Sequence, residues 1–337
     1  MLSLGYAELT NEQRRQLIDA TQTYEALRPA ARDLVRLGTM RVQKSKGVAY
    51  VYEVHGDVRK SQGRATPDLL KRSEAHKERR KALQTRVRTM SARLDKMAPV
   101  NRALGLGTMR NIAAKIVREI DKEGLLGEHV IIGGTTALHA YETACGVQIG
   151  QEHVATTDAD IVWDGKHNLF LAAHGVRREG IMGILRRVDR SFTADYGYNA
   201  TNADGFIVDL ICPETDNPTT MRDAMRDGGD LEATPIEGID WLLAAPKFER
   251  TVIADDGLPV RMIVPEPRTF ALHKLWVARR EDRQPAKKPR DLAHAALTAE
   301  LATKYLALSF TRKDMPWLSP PLRKLIRDVV KLLKSRT

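Results

Sequence analysis

The sequence predicts an α/β protein in which a core of short strands and helices is flanked by helical regions. The 337-residue chain has 42% hydrophobic and 29% charged residues, a composition typical of globular proteins. Apolar residues recur at helical spacing near both ends, whereas the middle contains short Val- and Ile-rich runs bounded by glycine. We therefore predict a basic helical region at 1–125, an α/β core at 126–265 and a helical domain at 266–337.

Two classes of protein are disfavoured by the sequence. No apolar run approaches the roughly 20 residues of a membrane helix, and Glu12, Arg14 and Arg15 interrupt the region that a signal peptide would make apolar. Cys145 and Cys212 are too few for a disulfide framework, so both are expected to be reduced, buried thiols. We expect a cytoplasmic protein without a membrane partner.

Positive charge is concentrated in one segment. The chain has 54 Lys and Arg against 43 Asp and Glu, a formal net charge of +11. Between Asp57 and Lys96 there are 13 basic and 5 acidic residues. Such a segment favours polyanionic partners, nucleic acid above all, although a solvated helix face is the default explanation of surface charge.

The N-terminal region is predicted to be a helix followed by a small hairpin. Thr10 and Gln13 have the spacing of a capping box at the start of a helix over residues 11–37, and Gly38 follows as a stop signal. Alternating apolar residues over 40–54 then predict two strands.

A second long helix is expected after the turn-rich stretches Ser61-Gln-Gly63 and Thr66-Pro67, and it should end near Met97. Its apolar residues have the 4-3 spacing of a coiled-coil seam. These residues are Leu83, Val87, Met90, Leu94 and Met97. Packing on a neighbouring helix is favoured over a dimerising coiled coil because two heptads are few; the oligomeric state is left open.

A further helix is predicted over 109–123, at the end of the basic helical region. The predicted core then begins with a buried strand at 130–132, which Gly133-Gly134 joins to a helix starting at Thr135. Glycines at a strand-to-helix turn leave the backbone amides uncovered, and the first amides of a helix attract anions. The turn is therefore a candidate phosphate site.

Three carboxylates interrupt predicted core strands. Asp158 and Asp160, two residues apart, should share one face of a strand at a separation of about 6 to 7 Å. Asp209 lies between apolar residues of another strand. Buried carboxylates are costly unless a cation or hydrogen-bond donors compensate them, so this set predicts a divalent-metal site. A helix over 180–188 and strands at 239–243, 248–254 and 258–264 complete the core.

Together, Gly133-Gly134-Thr135, Thr157-Asp-Ala-Asp-Ile161 and Val208-Asp-Leu210 resemble the polymerase-beta-like nucleotidyltransferase superfamily, which implies a core with a mixed sheet. The wider sequence is similar to a bacterial family of nucleotidyltransferase-fold proteins and, more distantly, to the nucleotidyltransferase toxins of abortive-infection systems. The segments that carry the wider similarity are Lys44–Gly47, Thr135–Tyr141, Gly183–Phe192 and Asp204–Ile211.

The resemblance implies transfer of a nucleoside monophosphate from an NTP to an acceptor hydroxyl, with two Mg²⁺ ions as cofactors, or Mn²⁺ in their place. It assigns catalysis and metal binding to Asp158, Asp160 and Asp209. Nucleotide binding is assigned to the glycine pair and Thr135. Basic residues of the helices are further candidates, although a solvated helix face explains Arg186 and Arg187 equally well. The predicted nucleotide-binding residues are Gly133, Gly134, Thr135, Arg186, Arg187 and Lys274.

The basic N-terminal segment favours an RNA acceptor, in particular tRNA, over a protein hydroxyl or a small molecule. A role in growth inhibition or phage defence follows if the toxin similarity holds. The alternative is a nucleic-acid-binding protein that keeps the fold without catalysis.

Overall fold

The computed structural model describes residues 5–56, 58–165, 180–195, 198–214 and 231–334. They form two compact units. The larger unit contains the chain up to Arg14, Gly105–Asp256 and the chain from Val260 onward, and the smaller unit contains Arg15–Leu104 and Gly257–Pro259. The three-domain division expected from the sequence stays a prediction.

The described residues form helices and strands throughout the chain, so the predicted α/β class is confirmed. The strands are β1 (Tyr6–Glu8), β2 (Thr39–Ser45), β3 (Val48–His55), β4 (Val58–Arg64), β5 (Val130–Ile132), β6 (Val147–Ile149), β7 (Asp158–Trp163), β8 (Thr193–Asp195), β9 (Asn199–Thr201), β10 (Ile207–Pro213), β11 (Thr234–Ile236), β12 (Lys247–Ile253) and β13 (Pro259–Pro265). The helices are α1 (Asn11–Leu37), α2 (Pro67–Ala103), α3 (Asn111–Lys122), α4 (Leu138–Cys145), α5 (Gln151–Val154), α6 (Gly180–Val188), α7 (Ile239–Ala244), α8 (Pro267–Arg279), α9 (Lys288–Lys304), α10 (Pro320–Lys324) and α11 (Ile326–Lys334).

The start and the end of α1 follow the predicted signals. The Thr10 amide donates to Gln13 Oε1 at 2.8 Å, and the Gln13 amide donates to Thr10 Oγ1 at 3.2 Å, so the capping box is present. The helix ends at Leu37, before Gly38, whose φ of 62° places it in the left-handed region.

The smaller unit contains a three-stranded antiparallel sheet, β2-β3-β4, rather than the two-stranded hairpin predicted. Strand β4 includes Ser61-Gln-Gly63, which the sequence analysis assigned to a turn. Apart from Val58 and Gly63, its residues are polar, and most of the strand is exposed, so it lacks the apolar alternation that marks a half-buried strand. Backbone pairing with β3, with a register shift at Val51/Tyr52, forms the strand instead.

Within the smaller unit, α2 lies antiparallel to α1. Gln16 Nε2 donates to Asn101 Oδ1 at 2.7 Å, and His76 Nε2 lies 2.9 Å from the Leu37 carbonyl oxygen. The predicted seam residues of α2 are partly or fully buried, with Leu94 only 5% exposed. The seam residues therefore pack against other residues of the same chain.

The larger unit is built on a six-stranded mixed sheet in which β5-β7-β10-β9-β8 are neighbours and β11 also pairs with β10. Strand β10 is parallel to β7 and β11 and antiparallel to β9. Buried apolar side chains of α3, α4 and α6 belong to the same core as the sheet. This core positions β7 and β10, the strands that carry the three carboxylates.

The prediction of a strand at 239–243 was wrong, because these residues form α7. A short apolar run does not by itself distinguish a strand from a buried helical turn. Here Gly238, with φ of 83°, precedes the helix, and the Trp241 amide bonds to its carbonyl at 3.2 Å. The strands predicted at 248–254 and 258–264 are present as β12 and β13.

Helices α8 to α11 form a second buried apolar cluster within the larger unit. Pro267 begins α8, and the Glu266 carboxylate caps it by accepting the Thr269 amide hydrogen at 2.8 Å. Over the residues that the structure describes, no helix combines the length and the apolar composition needed to cross a membrane.

Candidate active site

The three predicted carboxylates share one face of the central sheet. Strands β7 and β10 are parallel, and their register places Asp209 directly beside Asp160. Directly paired residues of adjacent strands point to the same face, about 5 Å apart. Asp158 lies two residues before Asp160 and therefore faces the same way. The structure thus brings together residues that are about 50 positions apart in the sequence.

Gly133 and Gly134 form a turn, called here the glycine turn, that lies against Asp160. The Gly133 amide donates to the Asp160 carbonyl oxygen at 2.9 Å. Gly134 has φ of 54° and ψ of −151°, a conformation available in practice only to glycine. A Cβ at Gly134 would overlap the Asp160 carboxylate. Both backbone and side-chain geometry therefore require glycine at this position.

A single 3₁₀ turn over Thr135–Ala137 follows the glycine turn and continues into α4. The sequence correctly predicted that helical structure begins at Thr135, although its first turn is 3₁₀ rather than α. Because the first amides of a helical segment have no partner within it, the amides that follow the glycine turn are candidate donors to a phosphate group.

The electrostatics of the site disfavour three ionised carboxylates in the absence of a cation. Burial raises the pKa of Asp160 to about 6, and the charges of Asp158 and Asp209 add to this rise. Burial, followed by the charge of Asp158, also raises the pKa of Asp209. Lys274 opposes the rise at Asp160, and Lys287 opposes it at both residues. The site therefore favours added positive charge.

A family model described as nucleotidyltransferase matches residues 111–317, which is more than half of the chain. The chain belongs to this nucleotidyltransferase family. The match includes the glycine turn and all three carboxylates. It makes the protein a transferase of the nucleotidyltransferase type, for which a nucleoside triphosphate is the implied substrate. No curated protein and no solved structure matches the chain.

Lys274 of the nucleotidyltransferase is held by a buried ion-pair cluster. Its Nζ lies 3.0 Å from Asp291 Oδ1, and Arg283 Nη2 lies 2.6 Å from Asp291 Oδ2. The Asp291 side chain is only 3% exposed. Burial opposes ionisation of this carboxyl, but Lys274 and Arg283 hold its pKa below the ordinary value. Asp291 therefore fixes a cation close to Asp160.

Arg283 was not singled out from the sequence, and the pairing of Asp291 with Lys274 was not predicted. Asp291 ends the basic run Lys287-Lys-Pro-Arg-Asp291, and Arg283 lies eight residues before it. A single acidic residue among several basic ones is a weak signal for a buried ion pair. Its partner Lys274 is 17 residues away on another helix, so the pairing depends on how α8 and α9 pack.

Arg186 and Arg187, predicted to bind the nucleotide, contact protein groups. Arg187 Nη2 lies 2.7 Å from Glu123 Oε1, and its Nε lies 3.5 Å from Glu119 Oε2. Arg186 Nε donates to the Phe192 carbonyl oxygen at 3.4 Å. These contacts link α6 to α3 and to the chain after α6. A nucleotide-binding role for either arginine stays a prediction.

The three carboxylates provide the hard oxygen donors that Mg²⁺ prefers. In the described part of the chain, no three or more Asp, Glu, His or Cys side chains are arranged so that they could hold a metal ion without other ligands. Mg²⁺ is ordinarily bound by one or two carboxylates together with waters and substrate phosphates, so an incomplete protein shell suits this cation. The donor chemistry and the raised pKa of Asp160 therefore fit Mg²⁺ that binds together with the substrate.

Proposed function

We propose that the protein transfers a nucleoside monophosphate from an NTP to the 3′ hydroxyl of an RNA acceptor, with tRNA as the favoured class. The observation that carries the proposal is the direct pairing of Asp160 with Asp209, with Asp158 on the same face and the glycine turn against Asp160. This arrangement combines acidic metal ligands with a phosphate-binding turn, which are the two groups that nucleotidyl transfer requires.

In the proposed mechanism, Asp158 and Asp160 would hold two Mg²⁺ ions, or Mn²⁺, and Asp209 would complete the ligand set on the side of the acceptor hydroxyl. When bound, the ions would neutralise triphosphate charge and lower the pKa of the attacking hydroxyl. The acceptor oxygen would lose its proton and bond to the α-phosphorus as the bond to pyrophosphate breaks and pyrophosphate leaves. The amides at the glycine turn and Thr135 bind phosphate oxygens. Lys274 supplies a fixed positive charge whose position Asp291 maintains.

An RNA acceptor is supported by the charge of the smaller unit. Its sheet and α2 carry many exposed cations, against four acidic residues on α2. A set of this kind is expected to bind the phosphate backbone and to give a strong salt dependence. The exposed cations are Arg41, Lys44, Lys46, Arg59, Lys60, Arg64, Lys71, Arg72, Lys77, Arg79, Lys81, Arg86, Arg88, Arg93 and Lys96.

The biological role proposed with this activity is growth inhibition or phage defence, as expected from the similarity to abortive-infection toxins. Modification of an RNA 3′ end would act in this way if it blocked further use of that RNA. The cytoplasm, where NTPs and RNA are both present, is the proposed location. A protein hydroxyl is the second acceptor class to be tested.

The experiment is incubation of the purified protein with each α-labelled NTP, Mg²⁺ or Mn²⁺, and a cell extract, followed by separation of RNA from protein. We expect label in RNA with the wild-type protein and none with Asp209→Asn. Label in protein alone would show that the acceptor is a protein hydroxyl and not RNA. Strong, salt-dependent RNA binding with no label transferred anywhere would support the non-catalytic alternative and contradict the proposal.

A further inference from the structure

A cleft of about 420 Å³ lies beside Asp158. Its walls come from the segment before β7, the start of α3, the first turns after the glycine turn and the start of α9. The volume falls within the range of small-ligand pockets and is enough for one nucleotide. None of the residues assigned above to the NTP, the glycine turn and Lys274 among them, lines this space, which is called here the Asp158 cleft.

Two arginines in the lining of the Asp158 cleft are held by the same loop. Arg110, the residue before α3, donates from Nη1 to the Thr156 carbonyl oxygen at 3.3 Å. Arg290, in the first turn of α9, donates from Nη2 to the neighbouring Ala155 carbonyl oxygen at 2.7 Å. Both side chains are exposed, and neither forms an ion pair with a carboxylate of the described residues.

A guanidinium group has five N–H donors, so one bond to a backbone carbonyl leaves most of them for a ligand. The carbonyl bond also restricts the side chain, which lowers the entropy lost when a ligand binds. Two oriented guanidinium groups in one cleft match the oxygens of a phosphate group. The Asp158 cleft is therefore suited to a ligand that carries phosphate.

The cleft also offers a buried imidazole. His139, 4% exposed, lines it, and its Nδ1 lies 3.0 Å from Thr108 Oγ1. Thr108 donates its own hydroxyl hydrogen to Glu142 Oε2 at 2.7 Å, so it can only accept from His139. Glu142 Oε2 also lies 3.4 Å from Nδ1, so both neighbours of this nitrogen accept a hydrogen from it. In the tautomer with hydrogen on Nδ1 alone, Nε2 is an acceptor for a hydroxyl group.

We propose that the Asp158 cleft binds the terminal nucleotide of the RNA acceptor, with Arg110 and Arg290 contacting its phosphate. This inference rests on the proposed function and deepens it by naming the acceptor site. A nucleotide combines phosphate, for which the cleft has two guanidinium groups, with ribose hydroxyls, for which it has His139. Occupation of this cleft would place the acceptor next to Asp158, on the strand that also carries Asp160.

The test compares Arg110→Ala and Arg290→Ala with Arg110→Lys, Arg290→Lys and the control Arg312→Ala. Arg312 is exposed and does not line the cleft, and its loss changes the net charge equally. Initial rates are measured while RNA and NTP are varied separately. Each alanine variant should raise KM for RNA about tenfold and leave KM for NTP unchanged, since each removes a charge-assisted hydrogen bond. The lysine variants should show a smaller rise, because they keep the charge but lose the guanidinium geometry.

A binding measurement separates failure of this inference from failure of the proposed reaction. Fluorescence anisotropy of a labelled oligoribonucleotide of about four nucleotides, without NTP or metal, reports the site directly. In one outcome, the wild-type protein modifies no RNA while the alanine variants bind the oligonucleotide about tenfold more weakly than Arg312→Ala does. That result would support the RNA-binding role of the cleft and contradict the proposed reaction. Equal binding by all variants, or a rise confined to KM for NTP, would overturn the inference. If an alanine variant does not fold, the KM for RNA and the oligonucleotide affinity of the lysine variant at that position test the inference instead.

Discussion

The carboxylate of Asp160 occupies the space that a side chain at Gly134 would need. The two residues lie on different elements, and the backbone bond from the Gly133 amide to the Asp160 carbonyl holds them together. The conformation of Gly134, with φ of 54° and ψ of −151°, is unfavourable for any other residue. The glycine turn and the strand that carries Asp158 and Asp160 therefore form one structural unit.

Gly134→Ala is expected to reduce nucleotidyl transfer about 100-fold, because the new Cβ displaces the Asp160 carboxylate and small displacements of reacting groups have effects of this size. Gly146→Ala is the matched control. Gly146 also has a positive φ, of 62°, but the nearest atom to its Cβ position is Arg14 Nε at 3.9 Å. The control should lose about 1 to 2 kcal/mol of stability and keep its activity. Full activity of Gly134→Ala would show that the carboxylate position is unimportant.

Asp209→Asn is expected to remove most of the rise in melting temperature that Mg²⁺ gives in the presence of a non-hydrolysable NTP analogue, because it deletes one of the carboxylates that would bind the cation. At free Mg²⁺ tenfold above its dissociation constant, the wild-type protein should gain about 1.4 kcal/mol. Asp204→Asn changes an exposed residue just before the same strand and should behave like the wild type. A normal Mg²⁺ response of Asp209→Asn would contradict the assignment of Asp209 as a ligand.

Asp291→Ala is expected to lower the free energy of unfolding by about 3 to 5 kcal/mol, because it leaves the cations of Lys274 and Arg283 without their buried partner. It should also raise KM for NTP, since Lys274 loses its fixed position. The control is Asp328→Ala, which breaks a more exposed ion pair with Arg279 and should cost less than about 1 kcal/mol. Denaturant unfolding measures the loss of stability in the two variants. Similar losses for Asp291→Ala and Asp328→Ala would contradict the structural role of the ion-pair cluster.

Acidification is expected to destabilise the protein partly through His273. Burial lowers the pKa of this histidine from 6.5 to about 3, with a smaller contribution from Lys274. Between these values the unfolded chain binds a proton that the folded protein does not, so stability falls as pH decreases from about 6.5 toward 3. His273→Gln should therefore show a shallower loss of unfolding free energy between pH 7 and pH 4, measured by denaturant unfolding. Equal slopes for the two proteins would exclude His273 as a cause.

Short-range patterns were sufficient for several parts of the fold and the site. The capping box at Thr10, the strand that carries Asp158 and Asp160, and the glycine turn were all predicted from neighbouring residues. Each depends on interactions within a few positions of the chain, where side-chain chemistry and backbone preference act together. Strand β4 and helix α7 were missed because their local patterns are weak or ambiguous.

The amino-acid sequence alone determined which residues could form an acidic, phosphate-binding site, because buried carboxylates and a glycine pair are chemically distinctive wherever they occur. Only the tertiary structure decided that Asp209 pairs with Asp160, that Asp291 holds Lys274, and that Arg187 contacts Glu123. These relationships join residues far apart in the chain. Strand register and helix packing set them through the combined burial of many side chains, and no local pattern contains that information.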